Sequence, residues 1–299
     1  MTAGQPPTDP TAAPPGGTAK LAGRTVARVG FGVMQLHHAP AGRGRDAALG
    51  LLREAVHLGI NHLDTAHFYG ACNELVREAL APYPDDLVLV GKVGADYGDR
   101  GQLVAAQRPE QLRAQVEANL SVLGAERLDV VNLRRADAPP GLIAEGDQKV
   151  DLDSQLGELA ALRDAGKIGG IGLSNVSADQ LRQALPAGVV CVQNDYSVLE
   201  RAAEPVLDLC REHDIAWVPF FPLGSGFSVR PKASGHPAVV AVADDIGCTP
   251  AQVALAWLLA HYDHTLLIPG TSSPAHLAEN TAAGSVRLSP EAAAALDQI

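Results

Sequence analysis

The sequence predicts an α/β fold of the (β/α)8 TIM-barrel type, and three observations predict it. From residue 28 onward, short runs rich in Val, Ile and Leu alternate with longer stretches of helical period. Eight such runs are present, the number that closes a barrel. No linker rich in Pro, Gly or Ser divides the chain after residue 21, so its 299 residues are read as one large domain.

The runs fall at 29–34, 60–64, 87–92, 128–133, 168–173, 189–193, 215–220 and 265–268. Between them lie amphipathic stretches at 46–58, 109–123, 154–165, 203–213 and 250–261. Most open with Asp, Ser, Thr or Pro, which satisfy or tolerate the free N–H groups of a first helical turn. Ahead of them, residues 1–20 (MTAGQPPTDPTAAPPGGTAK) are small and turn-forming throughout and read as a disordered tail, leaving 21–299 for the barrel. The tail has no basic start and no apolar run, so no secretory signal is read in it. A doubly wound open sheet that binds a dinucleotide usually carries Gly-x-Gly-x-x-Gly between its first strand and helix. Gly30-Phe31-Gly32-Val33-Met34-Gln35 lacks the third glycine and lies inside the first run, so Gly30 and Gly32 are read as strand or turn glycines.

Composition narrows the function. With 46% hydrophobic and 19% charged residues the chain can bury a large core, unlike a collagen, a disulfide scaffold or a disordered polyelectrolyte. A net charge of -11 and a pI near 5.3 repel phosphate backbones and anionic membranes, so neither nucleic acid nor membrane is expected as a partner. A monomer or weak homo-oligomer is expected. No stretch approaches the ~18 consecutive apolar residues of a membrane span. Cys72, Cys191, Cys210 and Cys248 are widely separated and lack paired ligand spacing, which reads as reduced thiols in a cytoplasmic protein without a metal site.

A (β/α)8 barrel keeps its chemistry at the C-terminal ends of its strands, where polar residues have no packing reason to be. The second run ends Ile60-Asn61-His62-Leu63-Asp64, and Tyr69 follows five residues later; the third run ends at Lys92. A carboxylate, a phenol and an ammonium at neighbouring strand ends form a candidate proton-donating tyrosine, with the ammonium expected to lower the phenol pKa from ~10 and the carboxylate to hold the lysine. Singly, each has a bland reading as a cap, a loop residue or a surface pair.

Together, Asp64-Thr65-Ala66-x-x-Tyr69-Gly70 followed by Gly91-Lys92 resembles the active-site signature of the aldo-keto reductases. The resemblance runs through Gly172-Leu173-Ser174-Asn175, Gln193-Asn194-Asp195-Tyr196-Ser197, Pro222 to Gly226, and Ile268 to Ser273 with Glu279-Asn280. It implies reduction of a small-molecule carbonyl with NADPH, NADH being the alternative. It assigns Ser174, Asn175 and Gln193 to the nicotinamide carboxamide, and Phe220 to stacking where the family usually has Tyr. Leu223, Gly224, Ser225 and Gly226 are assigned to the pyrophosphate. The segment from Ile268 matches the adenosine end, where Gly270 and His276 stand at positions that often carry Lys and Arg. Thr271, Ser272, Ser273, His276 and a helix N-terminus are left for a phosphate, with Glu279 and Asn280 beyond.

The fourth run departs from the family, because Arg134 ends it where a catalytic histidine is usual. A guanidinium is always charged and donates through a rigid fork, so Arg134 is read either as orienting a carbonyl and an anionic oxygen beside it or as a salt-bridge partner of Asp64, Asp137 or another mouth carboxylate. Asn132-Leu133-Arg134 with the later motifs is similar to a bacterial branch that includes pyridoxal reductases, implying an aromatic aldehyde whose phenolate pairs with Arg134. Met34, His67, Phe68, Tyr97 and Phe221 are expected at the substrate pocket, and His37 and His38 in loops or the pocket wall. His62, Asp64 and His67 raise a metal hydrolase as a rival, but no second His pair, Glu or bridging lysine completes such a site. A cofactor-binding regulatory barrel is the non-enzymatic alternative.

Overall fold

The computed structural model describes residues 13–38, 42–139, 141–224 and 231–299. The chain enters through a hairpin, β1 (Thr18–Leu21) antiparallel to β2 (Arg24–Ala27), turned by Ala22 and Gly23 at positive φ. The first barrel unit is β3 (Phe31–Gly32), a 3-10 turn over Val33–His38 and helix α1 (Arg43–His57). Next come β4 (His62–Asp64) and α2 (Cys72–Leu80), then β5 (Val88–Val93). An antiparallel excursion, β6 (Ala95–Tyr97) with β7 (Leu103–Ala105), leads into α3 (Pro109–Leu123). The units β8 (Leu128–Arg134) with α4 (Leu152–Asp164), β9 (Ile168–Ser174) with α5 (Ala178–Ala184), and β10 (Val189–Gln193) with α6 (Glu204–Glu212) follow. After β11 (Ala216–Trp217) come α7 (Pro237–Ile246), α8 (Pro250–His261), α9 (Pro274–Ala282) and α10 (Pro290–Asp297).

Seven strands form one parallel sheet in the order β11-β10-β9-β8-β5-β4-β3. The expected eighth, 265–268, pairs through single bridges, because the strands flanking it are only two residues long. Thr265 bridges Trp217, and Leu267 bridges Val29, both parallel. The Leu266 N–H donates to Trp217 O and the Gly30 N–H to Leu267 O, each at 2.8 Å, so both sheet edges meet on this segment. A curled parallel sheet joined in this way fits the (β/α)8 barrel. The tail expected over 1–20 fails at its end, since Thr18–Leu21 is a strand, too brief among Pro and Gly to show a period; residues 1–12 lie outside the described part.

The period of two along each strand sorts side chains into two cores. Val88, Val90, Val130, Cys191, Ala216, Val218 and Leu266 fill the bore, with Leu21 and Val26 of the hairpin against them. Leu63, Leu89, Val131, Leu133, Ile171, Leu173 and Val192 alternate with these and pack under the helices. Toward the strand ends the bore-facing positions turn polar: His62 and Asp64, Lys92, Asn132 and Arg134, Ser174, and Gln193. Glycine makes room for them, since a Cβ on Gly172 would stand 2.0 Å from Asn132 Oδ1, and one on Gly30 2.1 Å from His62 Nε2. Among the described residues no single helix is long and apolar enough to cross a membrane.

Candidate active site

Asp64 ends β4, and its two oxygens are both engaged. Oδ1 accepts from Lys92 Nζ, and Oδ2 accepts from Gln193 Nε2 at 2.7 Å. Asp64 and Lys92 are buried at 3% and 6% exposure, and Gln193 is buried with them. A turn closed by the Tyr69 N–H on Ala66 O at 3.0 Å carries the phenol back over this pair, with Lys92 Nζ 5.5 Å from the ring centroid. The three residues read from the sequence as one unit therefore meet at neighbouring strand ends.

The charge state differs from expectation. Enclosure pushes the Tyr69 phenol up; Lys92 and Arg134 pull it down and Asp64 pushes it up again, leaving it above the ordinary value. The ammonium does not win, because the cost of burying a phenolate outweighs its pull and Asp64 adds to that cost. For Lys92, burial opposes the charged form, but Asp64 and Tyr69 outweigh it and hold the ammonium above its usual range. The phenol is thus protonated at neutral pH beside a lysine that stays charged.

Arg134 ends β8 in register with Ser174, which is itself in register with Gln193. Its guanidinium carbon lies 5.5 Å from the Phe220 ring centroid. Burial lowers its pKa, while Tyr69 and Asp195 act in the opposite sense. Two carboxylates expected as its partners are taken elsewhere: Asp64 by Lys92 and Gln193, and Asp137 by the neighbouring Arg135, through Nε at 2.7 Å and Nη2 at 2.9 Å. The carboxylate on the Arg134 side is Asp195, two residues beyond Gln193 and bridged to Phe220. Nothing local marks Asp195 for that place, since it reads as a loop residue within the Gln193–Ser197 motif. The loop after β8 passes so close that a Cβ on Gly141, at φ +120°, would lie 2.4 Å from the Arg134 guanidinium.

The residues expected at the cofactor stand in varied surroundings. Ser174 Oγ and Gln193 Oε1 are buried without a hydrogen-bond partner. Asn175, at φ +58°, donates its amide to Ala138 O at 2.7 Å and Arg135 O at 3.3 Å. Phe220 and Phe221 pack edge to face at 5.1 Å. The Leu223 carbonyl accepts from the Ala233 N–H, and Gly224 turns the chain at φ +80°; Ser225 and Gly226 lie outside the described residues. Gly32 and Gly270 cross closely, a Cβ on Gly32 meeting Ile268 O and one on Gly270 meeting Gly32 O, each at 2.6 Å.

At the far end, buried Thr271 Oγ1 accepts from the Ser273 N–H at 3.0 Å, and Ser273 caps α9 by accepting from the His276 N–H. Each hydroxyl keeps its own proton to donate. Ser272 and His276 are exposed, Asn280 is buried, and the Glu279 carboxylate accepts from Thr249 at the start of α8.

An aromatic wall stands beside Tyr69. Phe68 packs edge to face on His67 and on Tyr69, both at 5.1 Å, and the exposed Tyr97 donates its hydroxyl to Phe68 O at 3.0 Å. Burial holds His67 below its usual pKa, despite Asp96 at 3.6 Å. Met34 is exposed, and Leu142, a residue that sequence reading missed, packs with Tyr69 against Ala66, Phe68 and Ala95. The side chain of His37 lies against Gly70, and that of His38 is outside the described residues. His62 sits one layer below Asp64, buried and pushed down to about 4 by burial against the pull of Asp64, hence neutral. Among the described residues no three His, Cys, Asp or Glu stand where they could hold a metal ion.

Comparison with known proteins agrees with this geometry. Residues 28–299 match the model of the Aldo/keto reductase family. The chain is 44% identical to pyridoxine 4-dehydrogenase of Escherichia coli (strain K12) over 292 residues, covering 94% of this chain and 98% of that protein. It is 34% identical to an uncharacterized oxidoreductase of Schizosaccharomyces pombe, covering 94% and 89%. Its fold superposes on an aldo-keto reductase from Klebsiella pneumoniae crystallised with NADPH, with a TM-score of 0.79, 24% identity and 94% coverage of both chains. With the family matched over the whole barrel and a tyrosine, a lysine and an aspartate assembled at its strand ends, this chain belongs to the aldo/keto reductase family and is an NAD(P)H-dependent oxidoreductase.

Proposed function

We propose that the protein reduces an aromatic aldehyde of the pyridoxal kind to the alcohol with NADPH, Tyr69 being the general acid. The observation that carries this reading is the protonated phenol of Tyr69 beside the Lys92–Asp64 pair, with two unpartnered buried polar atoms next to it. Ser174 Oγ and Gln193 Oε1 fit a carboxamide, which offers both donors and an acceptor, and Asn175 adjoins them. Phe220 offers a ring face for stacking. Leu223 and Gly224, with Ser225 and Gly226, would follow the pyrophosphate. Ile268, Gly270 and Thr271 to Ser273, with His276, Glu279 and Asn280 on α9, would hold the adenosine end, the hydroxyls and helix N-terminus serving a phosphate without Lys or Arg. The NADPH of the Klebsiella pneumoniae structure supports this choice over NADH.

When bound, a reduced nicotinamide supplies a hydride to the carbonyl carbon. Tyr69 donates its proton to the carbonyl oxygen, so the alcohol is released neutral. The Lys92 ammonium, held by Asp64, stabilises the phenolate left behind until it is reprotonated. Arg134 donates to the substrate oxygen and to an ionised oxygen beside the aldehyde, as a neutral histidine could not. His67, Phe68, Tyr97, Phe221 and Met34 present ring and thioether surface to an aromatic substrate. The Escherichia coli relative's name, pyridoxine 4-dehydrogenase, describes alcohol oxidation and supports the substrate class.

Fluorescence titration with NADPH and NADH, then oxidation of the bound cofactor by pyridoxal and other aromatic aldehydes, tests this. Turnover that disappears in Tyr69→Phe supports the reductase; tight binding with no turnover on any carbonyl points instead to the regulatory barrel.

A further inference from the structure

Outside the bore, behind the strand ends, lies a row of buried amides that the chemistry above does not use. Gln107, in the link between β7 and α3, is buried, and its side-chain nitrogen donates to Gly94 O at 2.6 Å and to Arg134 O at 2.8 Å. Gly94 follows Lys92 by two residues, so this one amide joins the strand that carries the lysine to the strand that carries the arginine. The link is close-fitting: Gly94 adopts φ +106°, and a Cβ there would stand 2.4 Å from Arg134 O and 2.7 Å from Gln107 Nε2.

Gln107 is itself held from both sides. Gln155 of α4 donates to its side-chain oxygen at 3.1 Å and to its backbone oxygen at 2.6 Å, and Arg135 donates to Gln155 in turn. On the other side Gln115 of α3 accepts from the Gly94 N–H at 2.7 Å. From there the row runs on to β4, Asn119 meeting Asn73 and Asn73 meeting Thr65, the residue after Asp64. In the low dielectric behind the sheet each amide must keep its partners, so their number fixes the spacing of the strand ends.

We propose that Gln107 is a positioning residue of this active site: its carboxamide ties the ends of β5 and β8 together and so sets where Arg134 stands relative to Tyr69 and Lys92. The inference rests on the reading of Arg134 as the group that orients the substrate. It predicts a defect greatest with substrates that Arg134 grips by both the carbonyl and an ionised oxygen beside it.

The variants to make are Gln107→Met, which keeps the shape and removes the donors, and Gln107→Glu, which turns two donors toward carbonyls into acceptors. Gln107→Met should fold, because Gly94 O keeps the Ala106 N–H and Gln155 keeps the backbone oxygen of residue 107. With pyridoxal, which carries an ionisable oxygen beside its aldehyde, kcat/KM is expected to fall by about ten- to a hundredfold, mainly through KM, since displacing a reacting group by about 1 Å has effects of that size. With pyridine-4-carbaldehyde, which lacks that oxygen, the loss should stay within about threefold, and NADPH affinity should not change.

Equal losses on both aldehydes, in step with thermal stability, would overturn the proposal. So would unchanged kinetics in both variants. Hydrogen exchange at the amides of Gly94 and Arg135, measured without substrate, should accelerate in Gln107→Met more than the global unfolding free energy accounts for; exchange that does not change overturns the clamp irrespective of turnover. Should the wild-type protein reduce no carbonyl at all, the proposed function fails, and the exchange rates alone decide the clamp.

Discussion

At the scale of single residues, the proposed chemistry turns on one proton. Because enclosure outweighs the cations around it, the Tyr69 phenol remains an acid through neutral pH. Carbonyl reduction at saturating cofactor is therefore expected to be flat across neutral pH and to decline only as pH rises through the raised phenol pKa, where the donor is lost; a pH profile of kcat checks this. Tyr69→Phe removes the donor and should lower kcat by about 10²- to 10⁴-fold with cofactor affinity retained, read by stopped-flow and fluorescence. Arg134→Met should weaken an aldehyde bearing an ionised oxygen by about 1.5–3 kcal/mol, the worth of a charge-assisted hydrogen bond, visible as a rise in KM. Asp64, Tyr69 and Lys92 were legible in the sequence because strand ends can be located from periodicity. Asp195 was not, because only the stacking of β10 on β9 and β9 on β8 brings it to the Arg134 side.

At the scale of elements, the barrel strands work by leaving space. Gly172 on β9 sits between Asn132 and Cys191 of the adjacent strands, so Gly172→Ala overpacks the layer beneath the site and is expected to cost about 1–3 kcal/mol in urea unfolding. On the outer layer, Glu204 opens α6. Burial alone would raise its carboxyl, but hydrogen bonds from Tyr196 and with His261, and the Arg201 charge, hold it down at about 2. A depressed carboxyl contributes stability that is complete above its ordinary value of 4.5 and disappears as pH falls toward 2. Glu204→Gln should thus be less stable than wild type at neutral pH, with the difference shrinking on acidification below that value, measured by thermal unfolding across pH. The helices α3 and α8 were read from sequence with their observed bounds, because a Pro opens each and an apolar run of helical length follows. The helices α2, α5, α7 and α10, of seven to ten residues, were not among the stretches read. Gln115, Asn119 and Gln155 left a signal that went unread: amides at core-facing positions among the leucines of α3 and α4.

At the scale of the whole molecule, a cofactor lying across the mouth would bind only the assembled barrel. NADPH at about 100 times its Kd should stabilise the fold by roughly 2.7 kcal/mol, raising Tm by several degrees, and NADH should do so less at equal concentration; differential scanning fluorimetry decides. The parallel barrel architecture and the grouping of Asp64, Tyr69 and Lys92 were readable from the sequence by itself, because hydrophobic period, turn residues and side-chain chemistry are local properties. The state of the phenol, the surroundings of Arg134 and the amide row behind the strand ends were decided by the tertiary structure alone. Asp64 and Gln193, 129 positions apart in the chain, share a hydrogen bond, and desolvation and Coulomb interaction depend on where such groups stand in space rather than on their order along the backbone.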